Sequence, residues 1–413
     1  MIALFSMGLV LTGCSNRGPE VTGTPLENTQ NVHGTSKQKE VTLTLRGAKQ
    51  EQEMMQELLD SFCEEYKSQA NINIVFNAED ENTCQKELLA DPQQAPDIFI
   101  FPDDQLKPLI ASGLIEPVEN KDELINQFTP EVLDTVMIND SLYAYPLTAD
   151  NGFFLYYNNQ YFDESDVHSM DRILEVAKNA GKKISMEIDN AWYFYTFFGA
   201  KGLELGLNSD GITNHCNWNS VENETKGIDI ANGIYKLIKH EAFVNLEDKQ
   251  LVKAIEDGTV IAAINGIWNS NKIQKAWKDN FEATKLPTYT VNEKQQQMVS
   301  FIGYRFVGIN AYSEQKQWAA KLAEWLVNEG NQQKRYDAGQ IPCNMEVVKN
   351  ADYSKNPVAA ALLMQQEYAV LQRVGNQYWN PVKEFGEKLL NTTYSQADLQ
   401  YELDTMVEAI TAQ

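Results

Sequence analysis

Basic side chains are scarce in this chain: 34 Lys and Arg stand against 58 Asp and Glu, a net charge of −24. Such a balance repels a phosphate backbone and offers no basic stripe, which sets aside nucleic acid and anionic membrane surfaces as partners. Histidine is rarer still. The four that exist (His33, His168, His215, His240) are scattered, and none lies i, i+4 from another histidine or a cysteine, so no metal site is expected. No Cys-x-x-Cys occurs either, which leaves redox and zinc motifs without a footing. Cys63 falls on the stripe Met55, Leu59, Phe62, Tyr66 and Cys84 faces with Leu88. These two, with Cys216 and Cys343, are expected to be buried free thiols rather than disulfides. No cofactor is implied.

What is present is length and apolar content. At 413 residues and 43% hydrophobic, the chain exceeds one ordinary core, so two lobes are expected. The seam between them is placed at Leu142 to Asn158, where two aromatic extended runs flank a small polar turn at Asp150 and Asn151. Pro146 fixes its own φ and pushes Tyr145 toward extended geometry, so no helix runs through.

The amino terminus is an apolar run, Met1 to Leu11, closed by Leu11-Thr12-Gly13-Cys14. It resembles a bacterial lipoprotein signal and is too short for a membrane-spanning helix. Residues 1–13 are then the signal peptide, Cys14 the lipidated first residue, and 14–40 a polar, Gly- and Ser-bearing tether.

From Val41 the chain alternates strand and helix, the pattern of an α/β fold in which loops at the carboxyl ends of strands line a ligand crevice. Lys49, after the first strand, is either a crevice contact or a solvated helix-start lysine. The strand Ala95 to Phe101 ends in Phe101-Pro102-Asp103-Asp104-Gln105, an aromatic, two carboxylates and an amide. This set suits a sugar, whose ring face packs on an aromatic while its hydroxyls bond carboxylate and amide groups. Asp103 could equally cap a helix with Phe101 in the core. The segment Asp189 to Phe198 is so aromatic that some rings must face a groove; Trp192 and Tyr193 are the candidates. Gly375 to Trp379 opens a helix whose last ring could enter the groove. Trp318 and Trp325, on one face of the helix Gln315 to Glu329, read as core by spacing. No role is assigned to His215, Cys216 or Trp218 in the Gly- and Asn-rich stretch 199–219.

The helix Leu246 to Glu256, the turn Asp257-Gly258, the small-residue strand Thr259 to Ile264 and then Asn265-Gly266-Ile267-Trp268 form a longer pattern. With Pro96-Asp97-Ile98, Tyr145-Pro146, Tyr157-Asn158, Leu286-Pro287-Thr288, Phe301-x-Gly303 and Gly308-Ile309-Asn310 in the same order, it resembles the extracellular solute-binding proteins of carbohydrate ABC importers, the maltodextrin-binding kind in particular. The resemblance spans roughly residues 41–413. It implies two mostly parallel sheets with flanking helices, joined by a three-crossover hinge. It carries sugar-contact roles onto Lys49, Phe101, Asp104, Asp150, Trp268 and Trp379, and onto Trp192; Gln105, Tyr193 and Tyr304 complete the expected substrate-binding set. Ala48 stands where the maltose binders have an acidic ligand, and Gln105 where they have arginine, so a sugar other than maltose is expected.

The lobes are then 41–149 with 305–355, and 150–304 with 356–413. The implied partners are a small carbohydrate, the permease subunits of an ABC importer, and the membrane through the lipid on Cys14, with the protein itself a monomer. A surface glycoside hydrolase using Asp103, Asp104 or Asp150 would need two carboxylates flanking one glycosidic bond, and a non-transporting sugar sensor would share every one of these residues.

Overall fold

The computed structural model describes residues 38–412. The lipobox and most of the expected tether lie outside them. Lys39 and Glu40, read as tether, already belong to the first strand.

Ten strands make one mixed sheet: β1 (Lys39–Ala48), β2 (Ala70–Glu79), β3 (Ile98–Pro102), β4 (Tyr145–Asn158), β5 (Lys183–Ser185), β6 (Phe243–Val244), β7 (Val260–Gly266), β8 (Phe281–Thr284), β9 (Ser300–Ile309) and β10 (Ala369–Leu371). Their order is β6-β5-β7-β4-β9-β3-β1-β2, with β8 also on β4 and β10 also on β9. The outer pairs β1/β2, β1/β3, β5/β6 and β5/β7 are parallel. Within this sheet every antiparallel pair involves β4 or β9. The two expected sheets are both present, one on each side of the seam, and the two strands that cross it join them into one continuous sheet.

β4 is the expected seam, but without the break. Tyr145, Pro146 and Thr148 pair with Val307, Phe306 and Arg305 of β9, Asn151 and Gly152 pair with Gly303 and Ile302, and Phe153 to Tyr157 pair with β7. The register slips between Thr148 and Asn151, so the polar turn expected at Asp150 and Asn151 is reduced to a bulge within a continuous strand. A third pass runs beside it, where Ala149 N–H donates to the Ile341 carbonyl at 2.8 Å and Thr148 bridges to Pro342.

Hydrophobic packing follows the lobes. One core draws on residues between Val41 and Leu147 and between Phe306 and Cys343. In the other lobe β4 alternates: Phe153, Leu155 and Tyr157 enter a core with the carboxyl-terminal helices, while Phe154 and Tyr156 face the helices around Leu251, Ile273 and Leu362 on the opposite side. Alternation with both faces covered is what a central strand requires. Trp318 and Trp325 sit in the first core against Phe62 and Tyr66. Trp218 is fully buried and stacks on Phe198 at 4.2 Å. The four described cysteines are free; Cys84 and Cys343 are buried, whereas Cys63 and Cys216 are half-buried.

Candidate functional site

A cleft of about 1240 Å³ opens between the lobes. Its walls follow the carboxyl ends of parallel strands, as open α/β sheets dictate. β1 leads to Lys49 and the helix bearing Glu53 and Glu57, β2 to Asp80 and Glu81, and β3 to Asp104; across the cleft, β5 leads to Trp192, β6 to Asp248 and β7 to Trp268. Four aromatic residues line it, Trp192, Tyr193, Trp268 and Trp379, all on the second lobe. Ten carboxylates line it against three cations, Lys49, Arg305 and Lys334. Most of those carboxylates are on the first lobe, so the walls differ in chemistry: rings on one side, acceptors on the other.

Of the ten residues expected to touch substrate, eight line this cleft. Phe101 does not. It is buried in the first core, 5.6 Å from Phe99 and 6.0 Å from Phe306. Gly308 on β9 makes the room, since a Cβ there would come within 2.9 Å of the Phe101 ring. Tyr304 is also absent from the lining; its ring lies parallel to that of Phe306 at 6.4 Å.

Three more differ in role from what the sequence suggests. Gln105 is 7% exposed and acts as a strap, its Oε1 accepting from Gln85 N–H at 2.8 Å and its Nε2 donating to the Glu81 carbonyl at 3.2 Å. Tyr193 is 1% exposed, its hydroxyl accepting from Gly266 N–H at 3.2 Å and its ring backing Trp268 at 6.3 Å. Asp150 lies on the cleft floor at 1% exposure, accepting from Ile341 N–H at 3.3 Å.

That floor is an ion cluster that the sequence does not announce. Arg305 on β9 pairs with Glu51 and lies 3.5 Å from Glu81 and 3.9 Å from Asp150, while its Nε donates to Thr148 Oγ1 at 3.0 Å. Fully buried Arg335 donates to Glu51 at 3.0 Å and to Gln340 at 2.9 Å. Burial pushes the Glu51 carboxyl up, but the two guanidinium groups pull harder, down to about 2. Glu81 and Asp150, further from full compensation, are held above the usual carboxylate range by burial. The cluster joins all three passes between the lobes, through Asp150, Arg305 and Gln340.

Asp103 and Asp104 diverge at the end of β3. Asp103 turns inward and is 5% exposed; it accepts from Tyr304 N–H at 2.9 Å and does not cap a helix. Asp104 is open to the cleft. Enclosure between the lobes and repulsion from Asp103 push it up to about 6.

The Asn265-Gly266-Ile267-Trp268 motif has a local explanation. The Trp268 indole folds back over Gly266, where a Cβ would lie only 2.1 to 2.3 Å from the ring. Any larger residue at that position would displace the ring. Trp268 Nε1 donates to Asp248 Oδ2 at 2.8 Å, and Asn265 Nδ2 donates to Asp248 Oδ1 at 3.0 Å. Asp248 was not foreseen because its partner lies in another element and only the fold brings them together. Trp192 packs against Phe301 and Phe153 at the cleft wall, and Trp379 begins the helix Trp379–Asn391.

The sequence profile described as "Bacterial extracellular solute-binding protein" matches residues 61–361. The galactooligosaccharide-binding protein of Bacillus subtilis is 24% identical over 336 residues, covering 77% of each chain. A solved structure described as "with acarbose" superposes with a TM-score of 0.79 at 25% identity, covering 90% of this chain and 98% of that one. The Thermus thermophilus maltotriose binding protein bound with maltotriose gives 0.72 at 20% identity, covering 90% and 99%.

Proposed function

Because the chain belongs to the bacterial extracellular solute-binding proteins, we propose that it captures a neutral oligosaccharide between its lobes and presents it to the permease subunits of an ABC importer. The observation that carries this reading is the division of the cleft into an aromatic wall and a carboxylate wall. Sugar rings have apolar faces that pack on indoles and an equator of hydroxyls that donate to carboxylates. A volume of about 1240 Å³ exceeds the roughly 300–1,000 Å³ usual for a single small ligand, which favours several linked rings. Relatives named for galactooligosaccharides and maltotriose support the same class.

In this reading the lobes comprise residues 41–149 with 305–355 and 150–304 with 356–413. Closure about the three passes shifts an open/closed equilibrium toward the liganded form. The protein works outside the cytoplasm as a monomer, held to the membrane by a lipid on Cys14. Among the described residues no helix is long and apolar enough to cross a membrane. No hydrolytic step is included: Asp103 and Asp150 are buried and engaged with Arg373 and Arg305.

A thermal-shift screen against neutral mono- to heptasaccharides tests the reading, because a ligand bound only by the folded state raises the melting temperature by mass action. An oligosaccharide is expected to give the largest shift. No shift from any of them overturns the proposal.

A further inference from the structure

Trp268 is held before any ligand arrives. One edge of the indole is wedged over the bare Cα of Gly266, its face is backed by Tyr193 at 6.3 Å, and its N–H is tied to Asp248 at 2.8 Å. Asp248 is itself fixed. Its other oxygen accepts from Asn265 at 3.0 Å, and Asn265 accepts in turn from Asn269 at 2.9 Å. The carboxylate also sits in the first turn of the helix Asp248–Glu256, where the aligned backbone dipoles favour negative charge. A charge-assisted bond from an indole N–H to an anchored carboxylate is short and directional, so it fixes ring rotation as well as position.

We propose that Asp248 is a positioning residue for carbohydrate recognition, setting the plane of the Trp268 platform through the indole N–H rather than by bonding sugar itself. The proposal rests on the oligosaccharide reading above. A ring locked in its binding plane loses no rotamer freedom when the sugar stacks, whereas an untethered indole must be ordered at that moment. Releasing it therefore lowers affinity while every atom of the platform remains.

The test is a double-mutant cycle on the full folded chain, with maltotriose or a galactotriose as probe, whichever the wild type binds more tightly by calorimetry. Asp248→Ala is expected to weaken binding about tenfold, the order set by immobilising one side chain. Trp268→Phe weakens it too, and adding Asp248→Ala to Trp268→Phe costs nothing further, because the tether has lost its object. Asp248→Asn, whose carbonyl can still accept from the indole, recovers part of the loss. Melting temperatures of all four variants show that each is folded. Additive losses in the double variant would make Asp248 a direct sugar contact and overturn the proposal, as would wild-type affinity in Asp248→Ala. If the wild type binds neither probe, the oligosaccharide reading is what fails. The tether is then judged by near-ultraviolet circular dichroism. The signal that Trp268→Phe removes from the wild type must collapse in Asp248→Ala, and its persistence refutes the tether.

Discussion

Asp103 and Arg373 meet across the seam, Oδ2 to Nη2 at 2.6 Å. Asp103 ends β3 in the first lobe, whereas Arg373 lies just beyond β10, the strand carried by the Ser300 to Ile302 part of β9. Burial pushes the Asp103 carboxyl up and Arg373 pulls it back, leaving it above the usual carboxylate range. An ion pair so placed ties the two lobes near their pivot, with one partner buried and the other a third exposed.

Arg373→Gln removes the counter-charge and leaves the buried Asp103 carboxylate uncompensated. Stability at neutral pH should fall by about 1–3 kcal/mol, the cost of a buried acceptor that loses its partner. Adding Asp103→Asn should return part of it. Urea titrations of the single and double variants measure this, and an unchanged midpoint in Arg373→Gln would show the pair to be energetically idle.

Glu51 should govern part of the acid limb. Its folded pKa of about 2 lies below its ordinary 4.5, so its contribution is complete above about 4.5 and is lost as pH falls from there toward 2. Glu51→Gln should flatten that section of the stability curve and lower the plateau at neutral pH, since Arg305 and Arg335 lose their shared acceptor. A variant whose curve parallels the wild type between pH 4.5 and 2 would place the acid sensitivity elsewhere.

Asp104 has the opposite sign. Its folded pKa is raised from 3.8 to about 6, so the folded state resists its charge: the penalty is full above about 6 and absent below 3.8. Asp104→Asn should therefore raise the melting temperature of the unliganded protein at neutral pH, with the gain fading as the buffer is taken below pH 4. Oligosaccharide binding by the same variant should weaken, a trade of function for stability. Melting curves and calorimetry on one preparation decide both halves.

The charge of the cleft predicts selectivity. Ten carboxylates against three cations should reject uronate-bearing or sulfated oligosaccharides in favour of neutral ones of equal length, by about tenfold or more at low salt, and the discrimination should shrink as added salt screens the field. Equal affinities at low salt would count against electrostatic exclusion. Trp379→Ala should weaken the neutral ligand by about 1–3 kcal/mol through lost ring packing.

The motif residues were the legible part of the site. Asn265, Gly266 and Trp268 are neighbours in sequence, and the reason for their spacing is local, a ring folded over a glycine. Phe101 was misplaced because it lies in a wholly apolar strand, which leaves no alternation to say which side faces the crevice; Gly308, on a distant strand, decides it. The ion cluster was invisible for a related reason. Glu51, Glu81, Arg305 and Arg335 come from four separate elements, and each alone reads as an ordinary surface charge. The expected break at Asp150 is only a bulge, because a single-strand reading sees its own turn-forming residues and not the β9 partners that carry the strand through them. The strand and helix alternation that gives the α/β class depended only on short-range periodicity and survived.

The strand order has a consequence for how the chain folds. β3, with the sequence Ile98-Phe99-Ile100-Phe101-Pro102, has β1 on one side and Arg305 to Ile309 of β9 on the other. During synthesis the first lobe must wait with an apolar strand edge unpaired until some two hundred more residues have been made. Pairings so distant in sequence close large loops before they return any stability, which makes folding slow. An open edge of this kind invites the wrong partner in the meantime. The nascent chain is at its most aggregation-prone just before β9 arrives, and substitutions that weaken β9 should lower soluble yield more than they lower the stability of the finished protein.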